Sequence, residues 1–186
     1  YVVYDTQKEA LLKNILTNYP WKSAILFASR KETVKKLDGL FKKSNVEAKA
    51  FHSDLEQSER EEIMRAFKNK QLRLLIGTDV LSRGIDVEGI SMVINWDVPP
   101  DPEDYVHRIG RTARAETTGT AITFINEIDQ RKFFGIESLI GDTIPKLALP
   151  EGIGAGPEYT PEARRKDKSN FKGKRTFSRG KRPASR

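Results

Sequence analysis

The stretch Tyr105–Arg114, YVHRIGRTAR, places one histidine and three arginines within the eight residues from His107 to Arg114, around Gly110. The nearest acids are Glu103 and Asp104 upstream and Glu116 downstream. Like charges three or four residues apart on a helix repel, so this cluster is suited to an anion that the chain does not supply. His107, Arg111 and Arg114 fall at i, i+4 and i+7, one stripe if a helix persists, with Tyr105, Val106 and Ile109 on its apolar side. Gly110 either lets a partner backbone come close or ends the helix and leaves the arginines on a loop. The competing reading is a salt-bridged surface helix.

A second set of polar residues follows the apolar runs. Ser29 and Arg30 follow SAILFA (23–28), and His52, Ser53 and Asp54 follow VEAKAF (46–51). Thr78 and Asp79 end the run LRLLIGTD, whose apolar part is 72–77, and Asn95, Trp96 and Asp97 close ISMVINWD from 90. If these runs are strands of one parallel sheet, their polar ends gather on one edge, where open α/β sheets bind ligands. Helix N-termini on that edge favour phosphate. Each residue taken alone also reads as an ordinary helix cap. Arg60 adds weight, because it lies on the stripe of Ile63, Met64 and Phe67, beside Gln57. A charge on a core face is costly unless its head reaches an anion or solvent. Snorkelling past the core edge is the alternative for Arg60.

The positioning elements alternate from residue 5 to about 145. Amphipathic helices are expected at 6–19, with Asp5 as N-cap, and from a capping box at 29–32 to about Lys43. Further helices are expected at 54–68 with Asp54 as N-cap, from Pro102, and at 128–140. Strands are expected at 23–28, 46–51, 72–77, 90–95 and 119–125. Continuously apolar strands between helices imply a doubly wound, mostly parallel α/β sheet covered on both faces.

Composition bounds the setting. The 186 residues suffice for one domain with a core, and the initial Tyr1 leads us to expect a piece of a longer protein. There is no cysteine, and His52 and His107 are the only histidines, which argues against a zinc site. No apolar run approaches the roughly 20 residues needed to span a bilayer. A soluble, cytoplasmic protein without membrane contact is therefore expected. The segment 158–186 holds 11 Lys/Arg against Glu158, Glu162 and Asp167, a net +8, leaving 22 basic and 23 acidic residues in 1–157, a net −1. We expect residues 150–186 to be a basic, disordered tail that binds nucleic acid through counterion release. A merely solubilising tail is the alternative.

The ordered segments FHSDLEQSEREEIMRAF, LLIGTDVLSRGIDV and DYVHRIGRTARA closely resemble the second, C-terminal RecA-like domain of DEAD-box ATP-dependent RNA helicases of superfamily 2, bacterial type. The resemblance covers about residues 1–149. It implies a domain that joins an N-terminal RecA-like lobe around ATP, with single-stranded RNA gripped by both. Through it, Ser29 and Arg30 in FASRK, Gln57 and Arg60 in QSER, and Thr78, Asp79 and Gly84 in GTDVLSRG are candidate RNA-backbone residues. Arg83 would support the interdomain contact and Asp86 would reach the ATP ribose. Arg111 and Arg114 would touch the γ-phosphate, with Arg114 the arginine finger. His107 would couple the cleft to the partner lobe, supported by Arg108. Ala113 and Ser53 stand where the family places glycines, while the charged positions are intact. Neither a G-x-x-x-x-G-K-[ST] phosphate loop nor an Asp-Glu-Ala-Asp magnesium motif is present. Mg²⁺ and most adenine contacts would then belong to the other lobe, and this piece alone should not hydrolyse ATP. The rival reading is a non-catalytic RNA-binding and annealing module driven by its tail. A DNA helicase is a variant of the first reading.

Overall fold

A computed structural model describes residues 1–43, 46–79, 81, 87, 89–112 and 119–162. Five strands form one parallel sheet: β1 (Ala24–Phe27), β2 (Ala48–Phe51), β3 (Leu74–Gly77), β4 (Met92–Asn95) and β5 (Thr120–Thr123), in the order β2-β3-β1-β4-β5. The helices are α1 (Lys8–Asn18), α2 (Lys31–Phe41), α3 (Gln57–Lys68), α4 (Pro102–Ile109) and α5 (Gln130–Ile140). The doubly wound α/β class expected from the alternation is the one observed, with every strand pair parallel.

Alternate residues of the strands feed two cores, which explains why the runs are apolar throughout. Leu26, Leu74, Ile76, Met92 and Ile94 meet Leu11, Leu12 and Ile15 of α1 and Val34 and Leu37 of α2 on one face. Ile25, Phe27, Leu75 and Val93 meet Phe67, Ile63 and Met64 around α3 on the other. A third cluster joins α4 to α5 through Tyr105, Phe133 and Ile136. Each fully buried Leu or Ile contributes about 1.5–3 kcal/mol, so the sheet is a rigid frame for the residues at its ends.

The register aligns those ends. Phe51, Gly77, Phe27, Asn95 and Thr123 form one row across the sheet at its carboxyl edge. The loops carrying Ser29, Ser53, Thr78 and Asp97 all leave from that row.

Three caps differ from expectation. Arg30, not Ser29, is the N-cap of α2, and the Ser29 N–H instead donates to Asp97 Oδ2 at 3.1 Å. Glu56 is the N-cap of α3, its N–H donating to Glu59 Oε2, while Asp54 is drawn away by Lys31 and Lys35 at 2.8 and 2.7 Å. Asp5 is the first residue of a 3₁₀ turn (Asp5–Gln7) rather than a cap, and it pairs with Lys8.

The boundary expected at 149/150 falls inside a packed stretch. Leu149 and Ile153 pack on the first core, and Tyr159 packs edge-on against Phe133. A Cβ on Gly156 would lie 2.2 Å from the Val2 carbonyl oxygen, so only glycine allows that approach. Residues 150–162 thus belong to the body, and the tail from 163 onward lies outside the described residues.

Candidate functional site

The arginine cluster divides at Gly110. α4 starts at Pro102 with Asp101 accepting from the Glu103 N–H, and stops at Ile109 with Gly110 as C-cap. Of the two possibilities at Gly110, the helix ending is realised, so Arg111 sits on the following loop. The Ile90 N–H donates to the Arg111 carbonyl at 3.1 Å, fixing this backbone beside the amino end of β4. The half-buried Arg111 side chain donates from Nε to the His107 carbonyl at 3.3 Å, and His107 is exposed. Gly119 lies against Thr112: a Cβ on Gly119 would lie 2.5 Å from Thr112 Cβ and 2.7 Å from its carbonyl oxygen. Arg114 lies outside the described residues, as do Arg83, Gly84 and Asp86.

Arg108 is fully buried, which the wheel did not anticipate. Val106, expected on the apolar side, is 42% exposed instead. The Arg108 guanidinium lies 5.1 Å from the Phe27 ring centroid, and Nε donates to Asp79 Oδ1 at 2.6 Å. Nη1 donates to Asn95 Oδ1 at 3.0 Å and to the Asp97 carbonyl at 3.3 Å. Nη2 is as close to Asp79 Oδ1, at 2.6 Å, but without hydrogen-bond alignment. Burial lowers the Arg108 pKa, opposed by Asp79 and then by Asp104 and Asp97. One side chain therefore ties the carboxyl ends of β1, β3 and β4 together. The Asp79 carboxylate is bound to Arg108, so it holds the Thr78 loop from behind.

The remaining RNA candidates that are described share the carboxyl edge without all touching. Ser29 and Arg30 are exposed after β1, and Thr78 is half-buried after β3. Arg60 reaches back to β2, donating from Nη2 to the Ser53 carbonyl at 2.7 Å, while its buried Nε has no partner. His52 Nδ1 at the same strand end is likewise buried without one. Gln57 does not pair with Arg60. It donates to Glu61 on its own helix at 2.8 Å.

A cavity of about 420 Å³ opens on the β1–β4–β5 side of this edge, lined by Ser29, Arg30, Thr33 and, at its floor, Lys8 and Trp96. Lys8 is 1% exposed and pairs with Asp5 at 2.9 Å and Asp97 at 3.1 Å. Sequence reasoning passed over Lys8, although it occupies the buried stripe of Leu11, Leu12 and Ile15 just as Arg60 does its own. Among the described residues, no three His, Cys, Asp or Glu side chains gather as a metal site. Among them, too, no helix is long and apolar enough to cross a membrane.

Residues 7–116 match the model of the helicase conserved C-terminal domain. The chain belongs to the DEAD-box RNA helicase family. The DEAD-box domain is 39% identical over 150 residues to the ATP-dependent RNA helicase RhlB of Pseudomonas putida, covering 81% of this chain and 37% of that protein. It is 37% identical over 185 residues to the ATP-dependent RNA helicase DBP8 of Scheffersomyces stipitis, covering 94% of this chain and 42% of that one. It thus spans about two-fifths of these relatives. It also superposes on a DEAD box protein from Methanococcus jannaschii with 40% identity and a TM-score of 0.72, over 78% of this chain and 40% of that one. Escherichia coli SrmB, solved with RraA, matches with 28% identity and a TM-score of 0.74, over 84% and 94% of the two chains. Saccharomyces cerevisiae Dbp5, solved with RNA and ADP BeF3, matches with 33% identity and a TM-score of 0.71, over 77% and 38%. The DEAD-box domain therefore has the RecA-like fold of the C-terminal lobes in this family.

Proposed function

We propose that this domain is the RNA-gripping and phosphate-sensing lobe of an ATP-dependent RNA helicase that unwinds short duplexes locally. The observation that carries the reading is the division of the arginine cluster at Gly110. Arg108 is withdrawn into the sheet, while the Arg111 backbone sits beside the amino end of β4, next to the close approach of Thr112 and Gly119. The family's ATP, bound mainly by an N-terminal lobe that also holds Mg²⁺, supplies the γ-phosphoryl group that is hydrolysed. Arg111 and Arg114 suit its oxygens because the guanidinium fork binds phosphate in pairs. An arginine finger is worth about 10³–10⁵ in rate in well-studied nucleotidases. Asp86 and Arg83 would serve the ribose and the interlobe contact. Ser29, Arg30, Gln57, Arg60, Thr78 and Gly84 would hold the RNA backbone, which explains a site without base-reading groups. The basic tail would add sequence-independent affinity. Without its partner lobe the domain should not hydrolyse ATP.

The test is docking in trans to a lobe carrying the phosphate loop, followed by light scattering. Stable association should require both single-stranded RNA and a non-hydrolysable ATP analogue. The double variant Arg111→Ala/Arg114→Ala should lose docking while keeping RNA affinity within about twofold. The tail's charge favours a second reading, an annealing module. That reading gains if RNA binding ignores nucleotide and disappears when 158–186 are removed.

A further inference from the structure

Lys8 is a buried charge that the proposed contacts with RNA and nucleotide leave unused. It is the first residue of α1 and 1% exposed, with Nζ 5.7 Å from the Trp96 ring centroid. An ammonium so placed is costly unless it is paired and hydrogen-bonded. It is paired twice, with Asp5 Oδ1 at 2.9 Å and with Asp97 Oδ1, to which it donates at 3.1 Å. Asp5 is steadied in turn by Asn126 Nδ2 at 3.0 Å, from the loop after β5.

Asp97 gathers donors from three directions. Its Oδ1 takes Lys8, its Oδ2 takes the Ser29 N–H at 3.1 Å, and its carbonyl takes Arg108 Nη1 at 3.3 Å. Just before Ser29, the Ala28 N–H donates to the Gly77 carbonyl at 2.9 Å. The Ser29 peptide is therefore fixed where the chain turns from β1 into α2, and the exposed Arg30, N-cap of that helix, starts from it. The two carboxylate oxygens face two different donors. An ionised carboxylate accepts from both, whereas an amide has only one oxygen to offer.

We propose that Asp97, oriented by the buried Lys8, is a positioning residue that presents Ser29 and Arg30 to the RNA backbone. The inference rests on the reading that the strand-end loops contact RNA. With Oδ1 drawn to the ammonium, Oδ2 is left toward the Ser29 N–H. The Arg108 contact holds the Asp97 main chain from the other side, so the carboxylate cannot withdraw from Ser29 without disturbing the arginine cluster. In this role neither Lys8 nor Asp97 touches RNA. They order the loop in advance, so that less freedom is lost when Arg30 meets a phosphate.

The experiment measures anisotropy of labelled oligouridine against the full chain at about 200 mM salt, where counterion release by the basic tail contributes less. Exchange protection of the Ser29 amide is followed by NMR in the same chains. Arg30→Ala should weaken binding about fivefold, the net contribution of one hydrogen bond. Asp97→Asn should weaken it by a similar factor and expose the Ser29 amide, because the amide oxygen goes to Lys8 and its NH₂ is turned on the Ser29 N–H. Combined with Arg30→Ala, Asp97→Asn should cost nothing further. Lys8→Met/Asp97→Asn frees that oxygen for Ser29, so protection should return and affinity should come back to within about twofold. A merely structural role predicts no such rescue. Lys8→Met/Asp97→Ala also lacks the buried ammonium but has no acceptor for Ser29, and should stay weak, which keeps the test open if Asp97→Asn alone does not fold. If the Asn and Ala pairs bind alike, or Asp97→Asn binds as wild type, while Arg30→Ala weakens binding, the positioning role is overturned and the strand-end reading stands. If Arg30→Ala changes nothing, the strand-end reading falls and the positioning role falls with it.

Discussion

Arg108 and Asp79 join two of the segments that carry the family resemblance. Arg108 belongs to the arginine cluster and Asp79 to the loop that presents Thr78, and they meet at 2.6 Å under a fully buried guanidinium. Removing one partner of a buried pair costs about 3–5 kcal/mol. Asp79 is 27% exposed, so the lower end of that range applies. Arg108→Ala should therefore lower the unfolding free energy by about 3 kcal/mol in urea titrations. Arg108→Lys should recover only part, because one ammonium cannot reach Asp79, Asn95 and the Asp97 carbonyl at once. Gly119 is the second sensitive position. A methyl there meets the backbone oxygens of Thr112 at 2.7 Å and Ile90 at 3.1 Å, and backbone cannot yield cheaply. Gly119→Ala should cost about 1–3 kcal/mol by thermal melting. It should also weaken nucleotide-dependent docking more than RNA binding, since it displaces the Thr112 backbone that lies between Arg111 and Arg114 in sequence. A variant equal to wild type in both measurements would show that the loop base is not a constraint.

At the level of elements, residues 142–162 form a strap packed on α1 and α5 that makes three of its contacts with one carboxylate, Glu137. Burial disfavours the ionised form of Glu137, but Lys146, Tyr159 OH and the Ile144 N–H outweigh it, and the pKa falls below the usual 4.5. A depressed carboxylate stabilises the fold above its unfolded pKa and loses that contribution as pH drops through the folded value. Hydrogen-exchange protection of 142–162 should thus be constant at neutral pH and fall only below about pH 4.5. Glu137→Gln should weaken the strap at neutral pH by about 1–2 kcal/mol and flatten that acid dependence. An unaltered acid profile in Glu137→Gln would assign the titration elsewhere. The strap was also the element least legible in the sequence. Its hydrogen bonds to Gln7 and Gln130 use the carbonyls of Ile153, Ala155 and Glu158, and GDTIPKLALPEGIGAGPEYTPE carries no apolar period. The five strands were legible, because runs such as AILF and LLIG are buried from both sides. Their order was not, since parallel strands of similar composition do not encode their neighbours locally. Gly110 offered the end of α4 as one of two readings, yet nothing in spacing showed that Arg108 turns inward, because the wheel centred the apolar face on Tyr105, Val106 and Ile109, with Arg108 off that face.

Across the whole molecule, charge and fold are separated. Residues 163–186 hold 11 of the 33 basic and one of the 26 acidic residues, a net +10, which leaves 22 against 25, a net −3, for residues 1–162. A body of that sign does not attract RNA at long range, so in the proposed reading its contacts would be local, through Arg30, Arg60 and their neighbours, and the tail would supply the field. Single-stranded nucleic acid loses about 0.7 in logarithmic slope per neutralised phosphate. A tail covering about five phosphates would thus add about 3.5 to the slope of affinity against salt. Full chain and residues 1–162, titrated with oligouridine between 50 and 200 mM salt, should therefore differ in slope by several units, with the larger loss in the association rate of the truncated chain at low salt. Equal slopes for full and truncated chains would mean that the tail does not neutralise phosphates, and the attraction would have to come from the strand ends of a net-acidic body.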